Sequence, residues 1–384
     1  MAKRSSRRST KARRTLHFVT NRAPEKRGRK VTGFGAGFND GGAEDLRFGK
    51  LTVEVPRSRL EALDVDVDAD DPTDAAAEVF DTALKSPSIQ LYRESILKSA
   101  RTEFDEGAKV VYGSVALFEA LRKVMTGGRD VVVYVHGYNT DFRGAAKGAL
   151  VLQERLAARD VRLDGPRKAP AVVLFTWPSD GRVTPWVSYR SDRLEAAPSG
   201  YALGRALLKM RDFLRTIPRE EMCGSGIHLY CHSMGNFVLQ NAVERVAMHS
   251  PGQRMPRLLD QVFMVAPDVD DTVFRDGEPL AQLPDLCDGV HVYFNESDNA
   301  LRVSDATKAN PERLGARGVS HPGELHQKVE QIDCHGFAHA VDRLVGHGYH
   351  LSREVFQDAR VWIDGRMDPP GLRRPGPRRN TWRL

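Results

Sequence analysis

From Val131 onward, short apolar runs alternate with segments of helical periodicity, and no other feature of the 384-residue chain constrains its fold as much. The runs are VVVYV (131–135), AVVLFT (171–176), IHLYC (227–231), QVFMVA (261–266), VHVYF (290–294) and VEQID (329–333). Between and after them, apolar residues recur at helical spacing over 143–159, 200–215, 234–249, 336–345 and 352–363. Strands that are apolar on both faces must be covered on both faces, and an intervening helix lets successive strands run parallel. The pattern predicts an α/β fold with a mostly parallel central sheet and helices on both sides. No stretch approaches the roughly 18 apolar residues of a membrane-spanning helix.

The N-terminal third reads differently. LHFVTNR (16–22) and LTVEV (51–55) are predicted strands, 23–48 a loop, 64–76 an acidic unstructured stretch, and 77–125 helical with a break near Pro87. The spaced aspartates of 64–76 lack the glycine and closing glutamate of a calcium loop, so no calcium site is expected.

The formal charge of +6 belongs to the chain ends. Residues 1–14 carry seven Lys/Arg and residues 370–384 five Arg, with no acid in either, so the body between them is net acidic. Such ends are expected to be solvated and disordered, and able to touch nucleic acid or anionic lipid only nonspecifically. Cys223, Cys231, Cys287 and Cys334 have no metal-ligand spacing, and a disulfide framework is not expected in a chain this large. The basic start has no signal-like apolar run behind it, which predicts a cytoplasmic protein.

Chemistry concentrates in IHLYCHSMGNFVL. A buried strand stops at Cys231-His232-Ser233-Met234-Gly235, and Phe237, Val238, Leu239, Ala242, Val243 and Val246 then recur at helical spacing. Strand, tight turn with a serine at its apex, and helix make a nucleophile elbow. The helix directs its positive end at the reacting oxygen. A serine needs a histidine to take its proton and a carboxylate to orient that histidine. After strand 290–294 the loop Asn295-Glu296-Ser297-Asp298 offers Asp298, with Glu296 and the strand-end Asp268 as alternatives. His321, His326, His335, His339, His347 and His350 are all candidates for the base, and spacing does not choose among them. His335 and His339 stand four apart, but no third ligand at a typical spacing supports a zinc site. The oxyanion of an acyl-transfer reaction needs fixed donors. The N–H of Met234, after the nucleophile, is one; the N–H of Tyr138, in the strand-to-loop segment VVVYVHGYNTDF, is the other.

Together these residues carry a resemblance. The blocks FVTNRAP (18–24), FGKLTVEVP (48–56), VHGYNTDF (135–142), FTWPSDG (175–181), YRSDRLEA (189–196), CHSMGN (231–236), VAPDVDDTVF (265–274), NESDNAL (295–301) and GHGYH (346–350) resemble a bacterial esterase/lipase-like family of the α/β-hydrolase superfamily, of unknown function. The resemblance covers roughly residues 16–364. It implies a serine hydrolase fold, singles out His347 as the base because the family's terminal histidine stands in a Gly-His-aromatic block before the last helix, and favours Asp298 as the acid. It supplies no substrate. One departure is Cys231, which stands where the family's elbow has a small residue.

The resulting division is a basic tail (1–14), an N-terminal extension (15–125), a hydrolase core (126–365) and an Arg/Pro-rich tail (366–384). Trp177, with Pro178 and Asp180, is expected to wall the pocket. His136 and His232 are expected to meet substrate, and Trp186 and Tyr189 either line an acyl cleft or pack internally. Asp192 and Arg193 read as a structural ion pair, with substrate binding as the alternative. The expected activity is cofactor-free hydrolysis of a small-molecule or lipid-like ester through an acyl-serine. A competing expectation is a catalytically weak or inactive fold-mate that binds nucleic acid or anionic membrane through its basic tails. A third is a lipase acting at a membrane surface.

Overall fold

The computed structural model describes residues 10–65, 72–92, 112–158, 168–179, 185–250, 252, 254–301, 312–337, 346–365 and 372–384. Its main sheet runs, in spatial order, through β12 (Arg374–Pro375), β13 (Thr381–Arg383), β11 (Val329–Asp333), β10 (Gly289–Phe294), β9 (Gln261–Val265), β8 (Ile227–His232), β6 (Val131–Val135), β7 (Ala171–Thr176), β1 (Lys11–Thr20), β4 (Arg47–Pro56) and β5 (Ser88–Leu91). The centre consists of β6 (Val131–Val135), β7 (Ala171–Thr176), β8 (Ile227–His232), β9 (Gln261–Val265), β10 (Gly289–Phe294) and β11 (Val329–Asp333), all paired in parallel. These are the six predicted strands, and β7 and β10 are buried along their whole length. β1 (Lys11–Thr20) joins β7 in parallel, while β4 (Arg47–Pro56) and β5 (Ser88–Leu91) extend that edge antiparallel.

Side-chain alternation splits the core in two. Val135, Phe175, Leu229 and Cys231 face α3 (Gly113–Thr126), α5 (Pro185–Arg215) and α6 (Gly235–Met248). Val132, Tyr134, Leu174 and Tyr230 face α2 (Pro72–Ala83), α4 (Phe142–Ala157) and a C-terminal helix over Arg353–Ile363. The two short helices Leu283–Leu286 and Leu314–Arg317 precede that last one, which is therefore α9. α5 starts fifteen residues before the predicted 200–215 and runs through Pro198. Its Gly200 lets α6 approach closely, since a Cβ there would stand 2.6 Å from the Val238 carbonyl.

Several expectations are corrected. Lys11–Arg14, assigned to a disordered tail, form the first four residues of β1, paired residue for residue with Val53–Pro56. Ladder bonds and ion pairs order them: Arg14 holds Glu154 through two bonds of 2.6 and 2.9 Å. The loop expected at 23–48 contains a hairpin, β2 (Arg22–Arg27) and β3 (Lys30–Phe38), turned by Gly28 at φ 63°. Its Gly/Lys/Arg-rich composition hid it, because an exposed hairpin needs no apolar alternation. Within the acidic stretch, α1 (Arg57–Val65) ends and α2 begins, because Ala76, Phe80 and Leu84 form a buried stripe. β5 interrupts the predicted helical region after Pro87, and residues 93–111 lie outside the described residues.

The C-terminal end is not a free tail either. β12 (Arg374–Pro375) and β13 (Thr381–Arg383) form a hairpin, with β13 parallel to β11. Buried Arg373 anchors it, reaching Asp358 at 2.7 Å, pairing with Glu330 and lying over the Trp362 ring. These acidic neighbours raise its pKa despite burial.

Candidate active site

β8 ends at His232, and Ser233 takes φ 54°, a left-handed conformation that non-glycine residues rarely adopt. Surrounding bonds hold this strained turn in place. Ser233 N–H donates to Val265 O at 2.9 Å, and Ser233 O accepts from the N–H groups of Asn236 and Asp268 at 3.0 and 3.3 Å. The Asn236 amide also donates to the carbonyls of Cys231, Ser233 and Val265. Two glycines let the turn close. A Cβ on Gly235 would stand 2.6 Å from Val135 O, and one on Gly137 would stand 2.9 Å from Ser233 Cβ. Cys231 points into the core and is fully buried; burial raises its thiol pKa strongly, so it is inert.

The carboxyl edge of the sheet brings the separated residues together, as open α/β sheets do. Ser233 Oγ lies 2.9 Å from His347 Nε2, and His347 Nδ1 lies 2.6 Å from Asp298 Oδ2. A carboxylate only accepts, so Nδ1–H donates to Asp298 and the neutral ring leaves Nε2 to accept from the serine hydroxyl. Asp298 is fully buried, and its second oxygen accepts from Leu301 N–H at 3.0 Å. The two loops are tied together, because the Asn295 amide donates to Gly346 O at 2.8 Å. Gly346 has φ 66°, and a Cβ there would stand 2.9 Å from Ser297 O.

The geometry discriminates among the sequence candidates. Glu296 is exposed. Asp268 is buried but turned away, accepting from Tyr189 Oη at 2.9 and 3.1 Å with Arg313 Nε at 3.3 Å. His335 meets Ser297 and His321 meets Ser320, both at exposed positions, and exposed His326 accepts from Lys328 N–H. His350 stacks on His232 with ring centroids 3.5 Å apart, and His232 lies 5.1 Å from the His347 ring. Burial pushes His350 down to about 3 and His232 well below the ordinary range, so both flank His347 as neutral rings. His339, Asp180 and the Trp186 side chain lie outside what the structure describes.

The loop after β6 carries the other expected donor. Gly137 backs onto the serine, and Tyr138 follows it, half-buried and edge-on to Tyr189. Among the described residues, no protein acceptor takes the N–H of Tyr138 or that of Met234. His136 and Trp177 correct an expectation: both are buried and brace the loop, presenting no surface to a ligand. Their rings stack at 5.2 Å, and Trp177 Nε1–H donates to His136 O at 3.0 Å. His136 Nδ1–H donates to Gly137 O at 2.7 Å, and burial beside Arg22 pushes the ring down to about 3. Arg193 lies over the Phe237 ring, while Asp192 accepts from Asn139 N–H at 2.7 Å.

Sequence reading missed Arg22, Ser179 and Asn236 as builders of the site. A signal for Arg22 was present. Asn21-Arg22 directly follows an apolar strand, where a buried cation needs a reason.

The chain is similar to known proteins to differing extents. The uncharacterized protein alr1448 of Nostoc sp. is 26% identical over 214 residues, which cover 47% of this chain and 55% of that protein. The chain thus spans about half the length of the curated relative it matches. A solved esterase from the hyperthermophilic archaeon Pyrobaculum calidifontis aligns with 62% of this chain and 77% of its own, at 13% identity and a TM-score of 0.31. The model of a family described as alpha/beta hydrolase of unknown function (DUF900) matches residues 116–361. That match takes in more than half of the chain and every strand from β6 to β11, and the chain belongs to this alpha/beta hydrolase family.

Proposed function

We propose that the protein is a serine hydrolase that cleaves a carboxylic ester, small or lipid-like, through an acyl-serine intermediate. The observation that carries the reading is the unbroken relay from Ser233 Oγ through His347 to buried Asp298, at 2.9 and 2.6 Å. Ser233 Oγ attacks the ester carbonyl while its proton passes to His347 Nε2. The carbonyl oxygen becomes an oxyanion held by the N–H groups of Met234 and Tyr138. The positive end of α6 adds to that field. The tetrahedral intermediate collapses, and His347 returns the proton to the departing alkoxide. Water, activated by the same histidine, then releases the acid and restores the serine.

Asp298 holds the Nδ1–H tautomer and stabilises the imidazolium that forms at each step. This chemistry asks for no cofactor. The four free cysteines suit the reducing cytoplasm. Among the described residues, no helix is long and apolar enough to cross a membrane.

Rapid mixing with p-nitrophenyl acetate tests the reading. Wild type is expected to release a burst of one p-nitrophenolate per protein molecule, or to turn over steadily, and Ser233→Ala to do neither. Equal rates in wild type and Ser233→Ala would refute it.

A further inference from the structure

Two buried ionised side chains outside the relay converge on the loop that follows Tyr138. Arg22 is 1% exposed and spreads its guanidinium over four oxygens, in β3, in β7 and in the loops after β6 and β7. Nε donates to Thr176 Oγ1 at 2.9 Å, Nη1 to Gly35 O and Ser179 O at 3.2 and 3.3 Å, and Nη2 to Thr140 O at 2.7 Å. From the other side, fully buried Asp192 of α5 accepts from Asn139 N–H at 2.7 Å and from Ser179 Oγ–H at 2.5 Å. Ser179 Oγ in turn accepts from Thr140 N–H at 3.0 Å. Asn139 between them sits at φ 55°, a conformation its own backbone does not favour.

We infer that Arg22, Ser179 and Asp192 form a charged clamp that positions the Tyr138 N–H for the oxyanion. The cation holds a carbonyl, the anion holds an N–H, and both bonds fall on the two residues after Tyr138. Asp192 fixes the 138–139 peptide through the Asn139 N–H, Ser179 the 139–140 peptide through the Thr140 N–H and Arg22 the next peptide through the Thr140 carbonyl. The clamp thus sets the chain leaving Tyr138, while His136 Nδ1–H holds Gly137 O at the other end of the peptide that carries the Tyr138 N–H. The polarity matches the peptide dipoles, so the clamp resists rotation of the turn in either direction. Arg suits the task because its planar fork offers several donors at fixed angles, whereas Lys offers a point charge. These are positioning residues: their bonds to the loop fall on Asn139 and Thr140, and their effect passes through the Tyr138 peptide. Donors of this kind serve only when they are preorganised, and a displacement of about 1 Å can cost on the order of a hundredfold in rate.

The inference rests on the serine-hydrolase reading, and the test separates the two. A fluorophosphonate phosphonylates an activated serine: the Ser233 Oγ–P bond forms, fluoride leaves, the proton goes to His347, and the phosphoryl oxygen occupies the oxyanion position. The maximal rate and the half-saturating probe concentration are measured for wild type, Arg22→Met, Arg22→Lys, Asp192→Ala, Asp192→Asn and Ser179→Ala, with far-ultraviolet circular dichroism confirming the fold.

The clamp predicts a fall in maximal rate of about ten- to a hundredfold in Arg22→Met and Asp192→Ala, with half-saturation unchanged. Partial recovery is expected in Asp192→Asn, which keeps an acceptor, and little in Arg22→Lys. Ser179→Ala removes a single hydroxyl, and should slow the maximal rate even if the charge variants fail to fold. Folded variants that keep the wild-type maximal rate would overturn the clamp while leaving the hydrolase reading intact. A loss seen only in half-saturation would do the same. Wild type that is never labelled would remove both.

Discussion

Replacing Asp298 by Asn tests the relay without changing its shape. In the native site one carboxylate oxygen accepts from Leu301 N–H at 3.0 Å and the other accepts from His347 Nδ1–H at 2.6 Å. An amide has one acceptor and one donor end. Its oxygen must stay with the Leu301 N–H, since two donors would otherwise face each other in a fully buried site. The NH2 group then faces His347 Nδ1 and forces the proton onto Nε2. A His347 that carries its proton on Nε2 cannot accept from Ser233, although every heavy atom stays in place. The same substitution in a well-studied serine protease lowers kcat about 10⁴-fold, which corresponds to about 5.5 kcal/mol of barrier. Hydrolysis of p-nitrophenyl acetate at pH 7.5 is therefore expected to fall by about four decades in Asp298→Asn, with KM and the thermal midpoint little changed. A folded variant that keeps a tenth of the wild-type kcat would refute the tautomer argument and the assignment of Asp298 as the orienting acid.

Three further outcomes follow from the packing. Gly137→Ala places a Cβ 2.9 Å from Ser233 Cβ and 3.3 Å from His232 O, so it should slow ester turnover about a hundredfold with a melting temperature within a few degrees of wild type; unchanged turnover would show that the loop has slack. His136 is buried neutral with its pKa pushed down to about 3, so below the unfolded value near 6.5 only the unfolded chain takes the proton. Its contribution is whole above about pH 6.5 and shrinks as pH falls toward 3. Urea unfolding should show His136 costing about 2 kcal/mol between pH 6.5 and 5, and His136→Gln should flatten that slope; an equal slope in the variant would contradict it. Arg373→Ala leaves the buried Asp358 carboxylate without its guanidinium partner, and should destabilise the protein by about 3–5 kcal/mol. It should also expose the C-terminal hairpin to trypsin, and a wild-type digestion pattern would show that β13 is held by its ladder alone.

The sheet was legible because its central strands are apolar on both faces and separated by helices, a pattern that few other folds produce. Ser233 was legible for a local reason: strand, elbow and helix are contiguous in sequence. Asp298 and His347 were legible only in part. They stand 49 positions apart, and spacing alone does not distinguish His347 from His335 or His350; only the family resemblance of the block around Gly346-His347-Gly348-Tyr349 singled it out. The edges were misread because charge and disorder are easily confused in a sequence. Lys11–Arg14 and Arg373–Arg383 look like solvated tails, yet Glu54, Glu154, Glu330 and Asp358 wait elsewhere in the chain to pair with them. The clamp was hidden for the same reason, since Arg22, Ser179 and Asp192 become neighbours only through the sheet. Trp177 was misassigned because an aromatic ring at a strand end suits a pocket wall and a loop brace equally well, and only its full burial distinguishes the two.

The most direct test of the central claim is to treat purified protein with a fluorophosphonate and locate the adduct by peptide mass spectrometry. The account predicts a single phosphonylated serine, Ser233, with labelling lost in Ser233→Ala and severely slowed in His347→Ala. A folded wild-type protein that remains unmodified, or one modified at any other residue, would contradict it.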